Sequence, residues 1–84
     1  MDKRERMLAS ARNYMQNDGL ITYKRNGCEY AWATLFTVRT HFDAKTLTRD
    51  DVITLILEAR EMFGECERSN VYRELKANFP EAFE

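Results

Sequence analysis

Apolar residues recur along this chain at helical spacing, with one stretch that also fits a strand pair. Between Asp2 and Asn17, Met7, Leu8, Ala11, Tyr14 and Met15 fall at i, i+1, i+4, i+7 and i+8. That is one stripe of a period of about 3.6 residues and predicts a helix. Asp2 followed by Glu5 resembles a capping box, and Gly19 after Asn17-Asp18 predicts a left-handed stop.

The stretch GCEYAWATLFTVRTHF, residues 27–42, holds the only tryptophan and the only histidine. Wound at about 100° per residue, Cys28, Ala31, Trp32, Leu35, Phe36, Val38 and Phe42 share a face. Glu29, Thr34, Thr37, Thr40 and His41 take the other, and only Arg39 intrudes on the apolar arc. This predicts a helix over 29–42 with Trp32, Leu35, Phe36 and Phe42 in the core. The residues before it leave two readings. Asn26-Gly27 is a preferred pair for a type I′ turn, which would set Lys24 opposite Glu29, Tyr23 opposite Tyr30 and Ile21 opposite Trp32. A lone hairpin is marginal unless it packs on something, so residues 20–27 are otherwise a loop.

A third helix is expected from an N-cap at Thr48 to a stop at Gly64, with Asp50 and Asp51 in its first turn. Val52, Leu55, Ile56, Ala59, Met62 and Phe63 form its inner face, and Ile53 and Leu57 broaden it. A face that wide predicts a central helix contacted on two sides. The last helix starts at Ser69, turns Val71, Tyr72, Leu75 and Phe79 inward and ends before Pro80. The expected fold class is all-α, a compact four-helix array in a single small helical domain over 1–84, with one short β-hairpin near 20–32 as a variant.

Composition fits a folded domain of this kind. The chain has 84 residues, 44% hydrophobic and 32% charged, enough apolar material for a core but a small one. No run approaches the roughly 18 apolar residues of a membrane span, and the N-terminus lacks the apolar stretch of a secretory signal. A cytoplasmic protein with no membrane partner is expected. Cys28 and Cys66 are then free thiols, with a single disulfide as the alternative.

Charge is polarised beneath a net −1. Residues 1–27 carry six basic and three acidic side chains, and residues 48–84 carry five and nine. Lys3, Arg4 and Arg6 stand near a helix N-terminus, where the macrodipole disfavours cations. Most simply, they pair with the acidic half of the same fold or of a second copy. An acidic external partner is the other reading.

Candidate chemistry is sparse. Cys28, His41 and Cys66 are too scattered for a zinc site, and DAKTLTRDDV lacks the glycine and alternating donors of a calcium loop. Cys28 reads as an inert buried thiol and His41 as a solvated histidine, so their pairing as a nucleophile and base is not expected. No phosphate cradle or nucleophile elbow is present. The expectation is a non-enzyme without cofactor, metal or catalytic residues.

Binding remains. Tyr14, Tyr23 and Tyr30 are the aromatics expected at the surface, and Tyr23, Lys24, Arg25 and Tyr30 flank the Asn26-Gly27 turn as a small basic-aromatic patch. The expected function is a small interaction protein that regulates or inhibits a larger protein by binding its surface, of the type found among phage and mobile-element accessory proteins. Arg4, Arg12, Tyr23, Lys24, Arg25 and Tyr30 are the candidate contacts. The alternative is a DNA-binding transcriptional regulator. Residues 52–79 resemble a divergent helix-turn-helix whose second helix projects Asn70, Arg73 and Lys76 toward nucleic acid. Its turn is about one residue too long, and Glu65, Glu67 and Glu74 would face the phosphates. A homodimer through the broad 52–63 face is compatible with either function.

Overall fold

Cap chemistry starts the chain's first helix where the sequence places it. In the computed structural model, which describes residues 2–84, Asp2 accepts the Glu5 N–H at 2.8 Å and opens α1, Lys3–Tyr14. Gly19 does not end the helix. The chain continues through a π-helical turn, Met15–Gly19, into α2, Leu20–Asn26. Gly19 keeps right-handed helical angles, φ −61° and ψ −46°. Its role is closeness: a Cβ there would lie 2.8 Å from Phe63 Cζ, so only glycine lets this turn pack on that ring. The wider π turn brings Met15 and Gly19 to the buried side together.

The hairpin is absent, and no strand occurs among the described residues. A type I′ turn needs positive φ at both central residues, but Asn26 is the last residue of α2 and only Gly27 is left-handed, at φ 93°. Gly27 closes α2 and opens α3, Cys28–Trp32, so the Asn-Gly pair marks a corner between two helices.

The single helix expected over 29–42 is broken. α3 gives way to a 3₁₀ turn, Ala33–Leu35, before α4, Val38–Asp43. A 3₁₀ segment eclipses residues three apart, so Trp32, Leu35 and Val38 line up and all three are buried. Phe36 is rotated off that line and stands 65% exposed, where the sequence pattern placed it in the core. Phe42 is half-buried, its ring edge-on to Phe79 at 5.1 Å.

α5, Arg49–Phe63, follows its sequence pattern closely. Thr48 and Asp51 form a reciprocal capping box, and Gly64 ends the helix at φ 69°. Val52, Leu55, Ile56, Ala59 and Phe63 are buried, and Ile53 and Met62 pack partly against the core. The face offered for self-association is thus covered within the chain, except Leu57, which is exposed. α6, Asn70–Asn78, is capped by the Ser69 hydroxyl, which accepts the Tyr72 N–H at 3.1 Å. The chain then adds a final 3₁₀ turn, Pro80–Phe83, which buries Ala82. The six α-helices form four helical runs, and the fold is all-α.

An aromatic knot sits where α3, α5 and α6 meet. Trp32 is fully buried and edge-on to Tyr72 at 4.9 Å and to Phe63 at 6.1 Å. Its indole N–H donates to the Gly64 carbonyl at 3.0 Å, which removes the cost of burying that donor. Beside it, Cys28 and Cys66 are joined in a disulfide, 38 positions apart in sequence. Free thiols were the simpler expectation. The fold instead brings the Gly27 corner against the α5–α6 connection, with the Cα atoms 5.9 Å apart. No helix among the described residues is long and apolar enough to cross a membrane.

Candidate functional site

The cations expected to meet a partner divide sharply by location. Arg4 grips Asp51 with two hydrogen bonds, Nε to Oδ2 at 2.7 Å and Nη2 to Oδ1 at 2.6 Å. Asp51 also accepts the Thr48 backbone N–H at 3.0 Å. The Arg4 guanidinium, helped by these Thr48 bonds and opposed by burial, holds the carboxyl down at about 2. Arg12 Nε reaches both oxygens of Glu58, at 3.0 and 2.9 Å. Both arginines therefore fasten α1 to α5. Of the three N-terminal cations expected to pair with the acidic half of the chain, Arg4 does so, while Lys3 and Arg6 have no carboxylate within ion-pair distance among the described residues. The other candidates lie around the Gly27 corner. Tyr23, Lys24, Arg25 and Tyr30 are all exposed, with the Tyr23 ring 5.8 Å, centroid to centroid, from that of Phe63.

On α6 the nucleic-acid candidates form a local network. Arg73 donates to the Glu67 carbonyl at 2.6 Å and to the Asn70 side chain, and Lys76 donates to the Glu67 carboxylate at 2.8 Å. The connection from α5 to α6 spans residues 64–69, longer than the usual turn between such helices.

A concavity lined by aromatic and apolar side chains lies elsewhere. Met7, Ser10, Ala11 and Tyr14 on α1 form one wall of an open groove of about 320 Å³. Thr34, Phe36, Thr37 and His41 form the other. The groove exists because of the helical break. Residues 33–37 carry Phe36 out of the core, and α1 lies alongside without covering it. Tyr14, 45% exposed, adds a second aromatic surface. The groove thus presents two aromatic rings, a thioether and four hydroxyls, a mixture suited to contact with another chain.

Of its residues, Tyr14 was expected at the surface and Thr34, Thr37 and His41 on the polar side of their helix, whereas Phe36 was assigned to the core and Met7 and Ala11 to the inner stripe of α1. The available signal was the spacing of three between Trp32, Leu35 and Val38, with Thr34 and Thr37 flanking Phe36. A 3.6-residue wheel conceals that spacing. His41 stands half-buried in the groove wall, and Cys28 is bonded to Cys66, so the two are not a nucleophile and base. No cluster of three or more metal-ligating side chains occurs among the described residues.

Fold and surface together define a small disulfide-linked all-α domain with an exposed aromatic groove. Comparison of the chain with protein-family models, curated proteins and solved structures finds no match.

Proposed function

We propose that this chain is a non-enzymatic interaction module that regulates or inhibits a larger protein by occupying part of its surface. The observation that carries this reading is Phe36, a large apolar side chain left 65% exposed in a groove while its apolar neighbours Trp32, Leu35 and Val38 are buried. Aromatic side chains in partly formed pockets are the usual anchors of protein interfaces, and such residues supply most of the binding energy. The earlier contact set changes accordingly. Arg4 and Arg12 belong to the fold, and Tyr23, Lys24, Arg25 and Tyr30 form a secondary surface at the Gly27 corner.

The test is a photo-reactive phenylalanine analogue at position 36, with the same analogue at the exposed Leu57 as control. Irradiation in the native cell should give one discrete, larger adduct from position 36 and none from position 57. Monomeric protein only, from both positions, would refute the reading.

The DNA-binding alternative draws support from α6, which forms where the sequence placed it and carries Asn70, Arg73 and Lys76 on its exposed side. Their engagement with Glu67 weakens it, because a carboxylate among the basic groups opposes phosphate binding. It requires salt-sensitive retention on duplex DNA that is lost in the Arg73→Ala, Lys76→Ala double variant. Absence of retention at low salt excludes it.

Cytoplasmic location is likewise a proposal with its own test. Disulfides persist mainly in oxidising compartments. Alkylation of native cells at lysis should label both thiols of a cytoplasmic chain, whereas an intact Cys28–Cys66 bond would place it in an oxidising compartment.

A further inference from the structure

Charge is distributed unevenly around the groove. On α1, Lys3 lies one turn before Met7 and Arg6 one turn before Ser10, so both continue the groove wall toward the helix start. Neither has a carboxylate within ion-pair distance among the described residues, although their neighbours Arg4 and Arg12 both do. Across the groove, His41 supplies a ring nitrogen. Asp2, the N-cap of α1, turns its carboxylate to the Glu5 N–H at the helix start, and the carboxylates within the two flanking helices point elsewhere. Helical spacing sets Glu5 on the far side of α1 from the Met7–Tyr14 row. Asp43 on α4 sits 3.7 Å from Arg39, which also binds Glu74 on α6. The lining contains no acid.

We infer that the groove receives an amphipathic helix of another protein, its apolar face against Phe36, Met7 and Tyr14 and its carboxylates against Lys3 and Arg6. This rests on the interaction reading above and specifies the partner's chemistry. Three observations lead to it. The groove is open along α1, which suits the side chains of a laid-down helix better than an enclosed small molecule. From Met7 to Tyr14 the α1 wall of the groove runs for about 10 Å at 1.5 Å per residue, and Lys3 extends that line by one turn, so the length suits roughly two to three turns of a partner helix. Cations left without partners beside an apolar surface favour an acidic ligand and disfavour a basic one, so they select among helices that the apolar face alone would accept.

The experiment is selection from a displayed library of 16-residue helical peptides, with apolar residues at i, i+3, i+4 and i+7 and all other positions random. The full-length oxidised protein is the bait, and the Phe36→Ala variant is used for counter-selection. Enriched peptides should carry a clear excess of Asp and Glu and bind Phe36→Ala at least tenfold more weakly. Against the Lys3→Glu, Arg6→Glu double variant the same peptides should also lose at least tenfold, and a fresh selection should enrich Lys and Arg. Neutral or basic winners, or winners indifferent to both variants, would overturn the acidic helix. So would a Phe36-dependent dimer in light scattering, which would make a second copy the occupant. A position-36 photo-adduct obtained alongside neutral or basic winners would retain the interaction module and remove only the acidic partner.

Discussion

Trp32 and Phe36 are four residues apart, lie on one face of an ideal helix, and reach opposite fates. Trp32 is wholly enclosed by Tyr72, Phe63 and the Gly64 carbonyl, and Phe36 is among the most exposed large apolar residues of the protein. The cause lies in the backbone between them. Three residues of 3₁₀ helix rephase the chain, so that the core follows Trp32, Leu35 and Val38 and releases Phe36. Two regions result. The aromatic knot with its disulfide spends apolar surface on stability, and the groove between α1 and residues 33–41 leaves apolar surface available. Exposed apolar area inside a concavity therefore has to be judged from backbone phase as well as from residue type.

The largest effect should come from breaking the knot. Trp32→Ala should cost about 3–5 kcal/mol, a large part of the stability of a domain this size. Near-ultraviolet circular dichroism and urea unfolding should show a loosened or unfolded chain. Trp32→Phe retains most of the buried area but leaves the Gly64 carbonyl without its donor, and should cost less.

Next comes the disulfide. The Cys28→Ser, Cys66→Ser double variant should lose about 2–4 kcal/mol, because a long loop of the unfolded chain is no longer closed. Reduction of the native protein should lower its thermal midpoint similarly. A reduced protein as stable as the oxidised one would mean that the bond adds nothing to the knot.

A smaller effect concerns how α1, the groove's outer wall, is held. The Asp51 carboxyl sits at about 2 in the folded protein against 3.8 ordinarily, chiefly through Arg4. A depressed carboxylate contributes stability above its unfolded pKa and loses it as the proton binds, so this contribution should fade as pH drops from about 4 to 2. With Arg4 half-exposed, about 1–2 kcal/mol is expected. Glu81, held down to about 2 chiefly by Arg49, loses its contribution over pH 4.5 to 2. Asp51→Asn should therefore remove part of the acid dependence measured by urea unfolding between pH 5 and 2, and leave the rest.

Much of this fold was legible in the sequence where local chemistry and periodicity agree. Thr48, Asp51 and Gly64 bounded α5, and Ser69 bounded α6, because cap residues act on their own neighbours. Elements misread from sequence were those decided by a distant partner. Gly19 resembles a terminator but exists for the ring of Phe63, more than forty residues away. Asn26-Gly27 resembles a hairpin turn but forms the corner that delivers Cys28 to Cys66. The groove was nearly illegible for the same reason. A wheel of fixed period assumes one continuous helix, and the site exists only because that helix is interrupted. The expected pairing of the N-terminal cations with the acidic half holds for Arg4 alone of Lys3, Arg4 and Arg6, because which cations meet Asp51 and Glu58 depends on the packing of α1 against α5.

The division between the two regions is tested most directly by urea unfolding of Phe36→Ala beside the wild-type protein. A side chain kept for recognition should leave stability within about 0.5 kcal/mol, as for a surface substitution. A loss near the 3–5 kcal/mol typical of a buried phenylalanine would place Phe36 in the core and remove the groove with it.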